Sequence, residues 1–171
     1  MVILRLSIMG VESVIQELGG YRDRAKDLSP VWRMIARDMM DLERKVFASR
    51  GAILGASWAP LSPRYAKWKA RHYPGRPIMV RSGRLFASLT REGSPDMILI
   101  IKPDMLVFGS ARRVGRARKW FLAPIHQYPE TARVPKRLLM PTKAQELPRG
   151  YFDRWISWIG KFITDQLKPP S

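Results

Sequence analysis

Trp32, Ile35, Met39, Leu42 and Val46 follow one another at spacings of 3, 4, 3 and 4 residues. That rhythm places all five on one face of an α-helix, while Arg33, Arg37, Asp41 and Arg44 fall elsewhere on the wheel. A face this apolar has to be buried, so whatever fold the chain adopts must provide a surface for it. Ser29-Pro30 predicts an N-cap followed by proline at the first helical position, and the helix is expected to run to about Ala48.

The segments around this helix are shorter and mixed. Residues 2–9 read as a strand ending at Gly10, and Val11 to Lys26 as a helix broken near Gly19-Gly20. Ser49 to Leu61 is loop-like by its Gly, Pro and Ser content. Ser62-Pro63 repeats the cap-and-proline signature and opens a short basic helix that stops before Pro74-Gly75-Arg76-Pro77. Leu85 to Leu89 fits a strand or a short helix after the Ser82-Gly83 turn. Two apolar runs, Met97–Ile101 and Met105–Phe108, flank Pro103-Asp104 and predict a β-hairpin. Phe121–Gln127 and Val134–Leu139 read as short extended segments. Tyr151 to Leu167 reads as a helix carrying Phe152, Trp155, Ile159 and Phe162 on one face. Hairpin-linked strands among helices predict one α+β domain: an antiparallel sheet with the long amphipathic helix on one face and a C-terminal helix.

Charge is distributed unevenly. The chain of 171 residues has 31 Lys and Arg against 14 Asp and Glu, a net of +17. Residues 51–143 carry +14 of this, and no acid occurs between Glu43 and Glu92. A basic middle between nearly neutral ends predicts one electropositive surface. Its densest stretch, 110–120, reads as a basic loop containing Arg112, Arg113, Arg116, Arg118 and Lys119, with Val107-Phe108 and Trp120-Phe121 as the strands it joins. In the second basic helix Tyr65, Trp68 and His72 share a face; Trp68 is expected to pack inward and the cations to be solvated. No motif for reading bases accompanies these residues.

Residues for catalysis are sparse. Without cysteine, thiolate chemistry and disulfides are excluded. His72 and His126 stand apart, outside any paired metal-ligand spacing, and Glu92, Asp96, Asp104 and Glu130 occur singly, which argues against a metal-dependent nuclease. Neither a phosphate-binding glycine loop nor a GxSxG elbow is present. No cofactor is expected. The N-terminal run is too short for a secretory signal and no apolar stretch has membrane-spanning length, so a soluble product of the cytoplasm, without membrane contact, is expected.

Four pieces in order carry a resemblance. They are Phe47, Gly51, Gly55, Trp58, Pro60, Leu61, Ser62 and Pro63; then IMVRSGRLFASL, with Ser82, Gly83, Arg84, Leu85 and Ser88; then VFGS with Ile125-His126-Gln127-Tyr128; then VPKRLL, with Pro135 and Arg137. Over roughly residues 28–165 this resembles the phage virion morphogenesis family of Mu-like and related tailed phages, also called tail completion proteins. In place of that family's usual aromatic and glycine after His-Gln, this chain has Tyr128-Pro129.

The resemblance implies a non-enzymatic virion subunit at the neck or tail end, assembled in the host cytoplasm and acting in tail completion and head–tail joining. It further implies a homo-oligomeric ring, sixfold in the related tail terminators, with tail-tube and head-connector proteins as partners. Trp155, Trp158, Ile159 and Phe162 are then candidates for the subunit interface. The five cations of the 110–120 loop would face an acidic partner or genomic DNA without sequence specificity. The alternative is a sequence-independent nucleic-acid-binding protein of the host, for example one associated with the ribosome; an enzyme is the weakest reading.

Overall fold

The computed structural model describes residues 2–7, 27–115, 120–128, 134–141, 143 and 147–166. The predicted helix over 11–26 lies outside them, as do Arg116, Arg118 and Lys119.

Three strands form an antiparallel sheet in the order β1-β3-β2: β1 (Val2–Ser7), β2 (Met97–Lys102) and β3 (Met105–Ser110). The expected hairpin joins β2 to β3 through Pro103-Asp104, with Lys102 opposite Met105. β1 flanks the other side of β3, Val2 opposite Ser110 and Ser7 opposite Met105. Alternation along β3 sends Leu106, Phe108 and Ser110 inward, all fully buried, with Ile101, Leu99 and Met97 beside them on the same face.

The amphipathic helix α1 (Ser29–Ala48) lies on that face. All five residues of its predicted stripe are buried, and Arg33, Arg37, Asp41 and Arg44 are exposed. Its start differs by one residue from the expectation. Ser29 is already helical, and its N–H donates to Asp27 Oδ1 at 2.9 Å, so the capping carboxylate comes from one position before the cap. The hairpin turn pins this end of the helix. The Pro103 carbonyl accepts from Leu28 N–H at 2.9 Å and from Trp32 Nε1 at 3.3 Å.

Around the loop after α1 come a single 3-10 turn (Ala52–Leu54), α2 (Pro63–His72) and α3 (Arg84–Thr90). The cap expected of Ser62 is present: its Oγ accepts from Tyr65 N–H at 3.4 Å. Of the two readings of 85–89, the helix is realised. α3 is tied to the sheet by a buried Ser88–Ser110 hydroxyl pair at 2.7 Å, and its last carbonyl, that of Thr90, accepts from Arg44 of α1 at 2.7 Å.

The segment after β3 departs from the sequence reading. Trp120-Phe121 does not pair with Val107-Phe108. It forms β5 (Trp120–Phe121) against β4 (Arg113–Val114), a separate two-stranded hairpin. Leu122–Gln127, expected to be extended, is a short helix, α4. Residues 134–141 have no regular structure.

The C-terminal helix α5 (Tyr151–Gln166) crosses α1 on hydrogen bonds to Asp38, whose Oδ2 accepts from Arg154 at 2.5 Å and from Trp155 Nε1 at 2.6 Å. Its buried stripe is Tyr151, Trp155 and Ile159. Phe152, expected on that face, is instead 47% exposed, since a residue directly after Tyr151 points about 100° away from it.

Glu43 sits in α1 among these apolar residues. It is fully buried, and neither carboxylate oxygen has a hydrogen-bond partner among the described residues. Burial holds its carboxyl well above the ordinary value of 4.5. Above pH 4.5 the unfolded chain loses this proton while the folded chain keeps it, so stability falls as pH rises from there. Glu43→Met is therefore expected to raise the thermal unfolding midpoint at pH 7, with the gain shrinking as pH is lowered to 4. Calorimetry of both proteins across that range checks it.

Candidate functional site

Beside the sheet, α2, the 77–85 segment, α4 and the 134–137 segment enclose a cleft of about 540 Å³. Its walls bring together residues singled out separately in the sequence. Pro60 and Leu61 come from the loop before α2, Ser82, Gly83 and Leu85 from the start of α3, and His126, Pro135 and Arg137 from the far side.

The far side is held by side chains acting on backbone. Arg137 is 4% exposed; its Nε and Nη2 donate to the Ala59 carbonyl at 3.1 and 3.0 Å, and Nη2 reaches the Pro60 carbonyl at 3.2 Å. Its backbone N–H donates to the His126 carbonyl at 2.8 Å, and Nη1 lies 3.4 Å from His126 Nδ1. Gln127 is fully buried. Its Oε1 accepts from the N–H groups of Leu139 and Met140 at 3.2 and 3.3 Å, and its Nε2 donates to the Met140 carbonyl at 2.6 Å. Trp58 completes the link, donating from Nε1 to the Leu138 carbonyl at 2.7 Å. Its indole packs edge-on against Phe47 and lies over Gly51, where an added Cβ would come within 2.5 Å of the ring. With φ at +85°, Gly51 is required on both counts.

His126 is held neutral. Burial first, and the Arg137 charge second, lower it from 6.5 to about 4. Opposite it, α2 contributes Lys69, 4% exposed, whose Nζ donates to the carbonyls of Arg76 (2.9 Å) and Pro77. The orientation of α2 is thus the reverse of the expected one. Trp68 is on the surface, stacked between Tyr65 and His72 at centroid distances of 5.4 and 4.7 Å, and a cation is inside. Lys69 then holds the turn that leads to Met79, a cleft residue with the unusual φ of +63°. Sequence reasoning passed over Lys69, Arg81 and Met79; the paired prolines 74 and 77, which cannot donate and so leave carbonyls to be satisfied, were the available signal.

The basic tract divides. Arg112 lines the cleft and lies 3.5 Å from Asp96, which also takes Arg84 at 3.1 Å. Arg113 is exposed and lies over the Phe121 ring at 4.3 Å. Arg116, Arg118 and Lys119 lie outside the described residues. On α5, Trp155 and Ile159 belong to the subunit's own core, Trp158 and Phe162 are half-buried against it, and the large apolar side chains exposed on this helix are Phe152 and Ile156. Among the described residues no three His, Asp or Glu side chains are grouped to hold a metal ion, and no helix is long and apolar enough to cross a membrane.

Pro60, Leu61, Ser82, Gly83, Leu85, His126, Pro135 and Arg137 thus line one cleft, and a family model for phage virion morphogenesis proteins matches residues 8–149. The chain belongs to the phage virion morphogenesis family. The match includes the whole clamp of Trp58, His126, Gln127 and Arg137 and stops just before α5; it also begins earlier than the 28–165 span of the motif resemblance. No curated protein and no solved structure matches the chain. Family membership makes this a phage virion structure and assembly protein, associated with the virion.

Two outcomes follow from the clamp. Gln127→Leu strands two N–H groups and a carbonyl in the core, and is expected to cost at least about 3 kcal/mol in denaturant unfolding. Between pH 6.5 and 4 the unfolded chain takes up a proton at His126 that the folded chain refuses, so stability falls as pH falls through that window. His126→Gln should flatten that part of the pH–stability curve, which thermal melts at half-unit pH steps would show.

Proposed function

We propose that the protein acts without catalysis in tail completion and head–tail joining, as a ring of identical subunits at the neck or tail end of the virion. The observation that carries this reading is family membership through residues that build scaffold. Trp58, Gln127 and Arg137 spend their polar atoms on backbone, and Ser88 pairs with the Ser110 hydroxyl, which is what a rigid assembly module needs. A ring needs two different patches per subunit, each meeting the other on a neighbour. Phe152 and Ile156, exposed on the outer side of α5, supply the apolar centre of one patch. The positive charge of residues 51–143 supplies a surface for tail-tube or head-connector proteins, or for genomic DNA in the lumen held without base contacts. A sixfold ring is the order expected from the related tail terminators.

Native mass measurement of the purified chain, alone and with tail tubes from a phage lacking its gene, tests this. A closed oligomer in either condition is expected, with Phe152→Ser/Ile156→Ser reducing it to monomer while the unfolding midpoint stays within a few degrees. A phage lacking the gene should accumulate unjoined heads and tails in electron micrographs. Normal joined particles in its absence would overturn the reading.

A further inference from the structure

The cleft has an electrostatic property that the scaffold does not use. The described stretches that form it, 60–85, 112–115, 120–126 and 134–137, contain eleven Lys and Arg and no Asp or Glu. Two of these cations, Lys69 and Arg137, are buried, and among the described residues the oxygen atoms they bond are all backbone carbonyls. Carbonyl dipoles hold a charge in place but do not cancel it. Burial correspondingly lowers the proton affinity of both groups. Arg81 adds an exposed cation at the cleft, and Arg112 reaches it already paired with Asp96. A buried positive charge without a counter-charge costs stability, and a protein that keeps two in one concavity has a site whose missing component is an anion.

The rest of the wall is apolar: Leu61, Met79, Val80, Leu85, Val114 and Leu122. Met79 is held at φ +63°, in a turn closed by the Val80 N–H to the Pro77 carbonyl at 3.1 Å. This is a conformation that glycine adopts freely and methionine adopts at a cost. The retained side chain is part of the wall. A volume of about 540 Å³ falls within the range of pre-formed ligand sites. Duplex DNA is a stiff rod with its phosphates on the outside and cannot enter such a concavity. An inorganic anion would leave the apolar wall uncovered. A second copy of this chain, with 14 Asp and Glu against 31 Lys and Arg, is a poor source of an acidic segment for this cleft.

We propose that the cleft is the docking site for an acidic, apolar-flanked segment of a partner protein, with Asp or Glu carboxylates facing Lys69, Arg81 and Arg137. The choice of a protein as occupant rests on the assembly reading above; the site itself rests on the cleft's charge and shape.

A fluorescein-labelled eight-residue peptide alternating Glu and Leu is a direct probe, followed by anisotropy against the full chain. A second peptide with Lys for Glu, a duplex oligonucleotide and inorganic phosphate serve as competitors. Binding of the Glu peptide at least tenfold tighter than the Lys peptide is expected, with Arg81→Glu weakening it at least tenfold at an unchanged unfolding midpoint. A photo-cross-linker at position 61 should capture the peptide, and one at position 152 should not. Equal binding of the two peptides, no effect of Arg81→Glu, capture at position 152, or displacement by duplex or phosphate at lower concentration than by unlabelled Glu peptide would each overturn the proposal. If the assembly reading alone is wrong, the phage lacking the gene still joins heads to tails while the peptide result stands.

Discussion

A backbone without regular structure must find partners for its amide groups elsewhere, and between Val134 and Pro141 those partners are two side chains and one distant carbonyl. Gln127 occupies both N–H groups and one carbonyl of Leu139-Met140, Trp58 takes the carbonyl of Leu138, and the His126 carbonyl receives the N–H of Arg137. Leu139 and Met140 can then be fully buried although they belong to no sheet. The cleft inherits its far wall from this arrangement. The Gln127 bonds, together with the Arg137 N–H on the His126 carbonyl, hold the segment that carries Arg137 against α4.

The same logic explains why the family motif reads as it does. Its polar members are spaced far apart in sequence because each satisfies a backbone group on a different segment. Arg137 bonds to the Ala59 and Pro60 carbonyls, and Trp58 to that of Leu138. Such bonds link one loop to another across the cleft. The site's rigidity and its positive charge thus come from the same side chains, since a guanidinium used as a carbonyl bridge remains a cation.

What was legible in the sequence was what depends on local periodicity. The stripe from Trp32 to Val46, the hairpin around Pro103-Asp104 and the Ser62 cap are all present, because each is decided within a few residues. What was not legible depends on partners distant in the chain. The α2 wheel offered both an aromatic face and a cationic one, and the unsatisfied carbonyls of Arg76 and Pro77 drew Lys69 inward. Leu122–Gln127 is short and contains Pro124, so no helical period is visible, yet its helical form is what points Gln127 into the core. Phe152 shares helical spacing with Trp155, Ile159 and Phe162, and only the docking of Trp155 onto Asp38 shows which side of α5 faces inward.

The sheet order has a consequence for how the chain is made. Among the described strands β1 is synthesised before the others, and the neighbour it pairs with is β3, about a hundred residues later. At about 5–20 residues per second, β1 waits roughly 5–20 s on the ribosome before its partner emerges. During that interval the apolar stripe of α1 is complete but has no sheet to cover it, while β2 and β3 can close on each other as soon as both are out. The hairpin is therefore the surface on which the rest condenses, and its turn, by taking Leu28 and Trp32 on the Pro103 carbonyl, catches the waiting helix at its first turn.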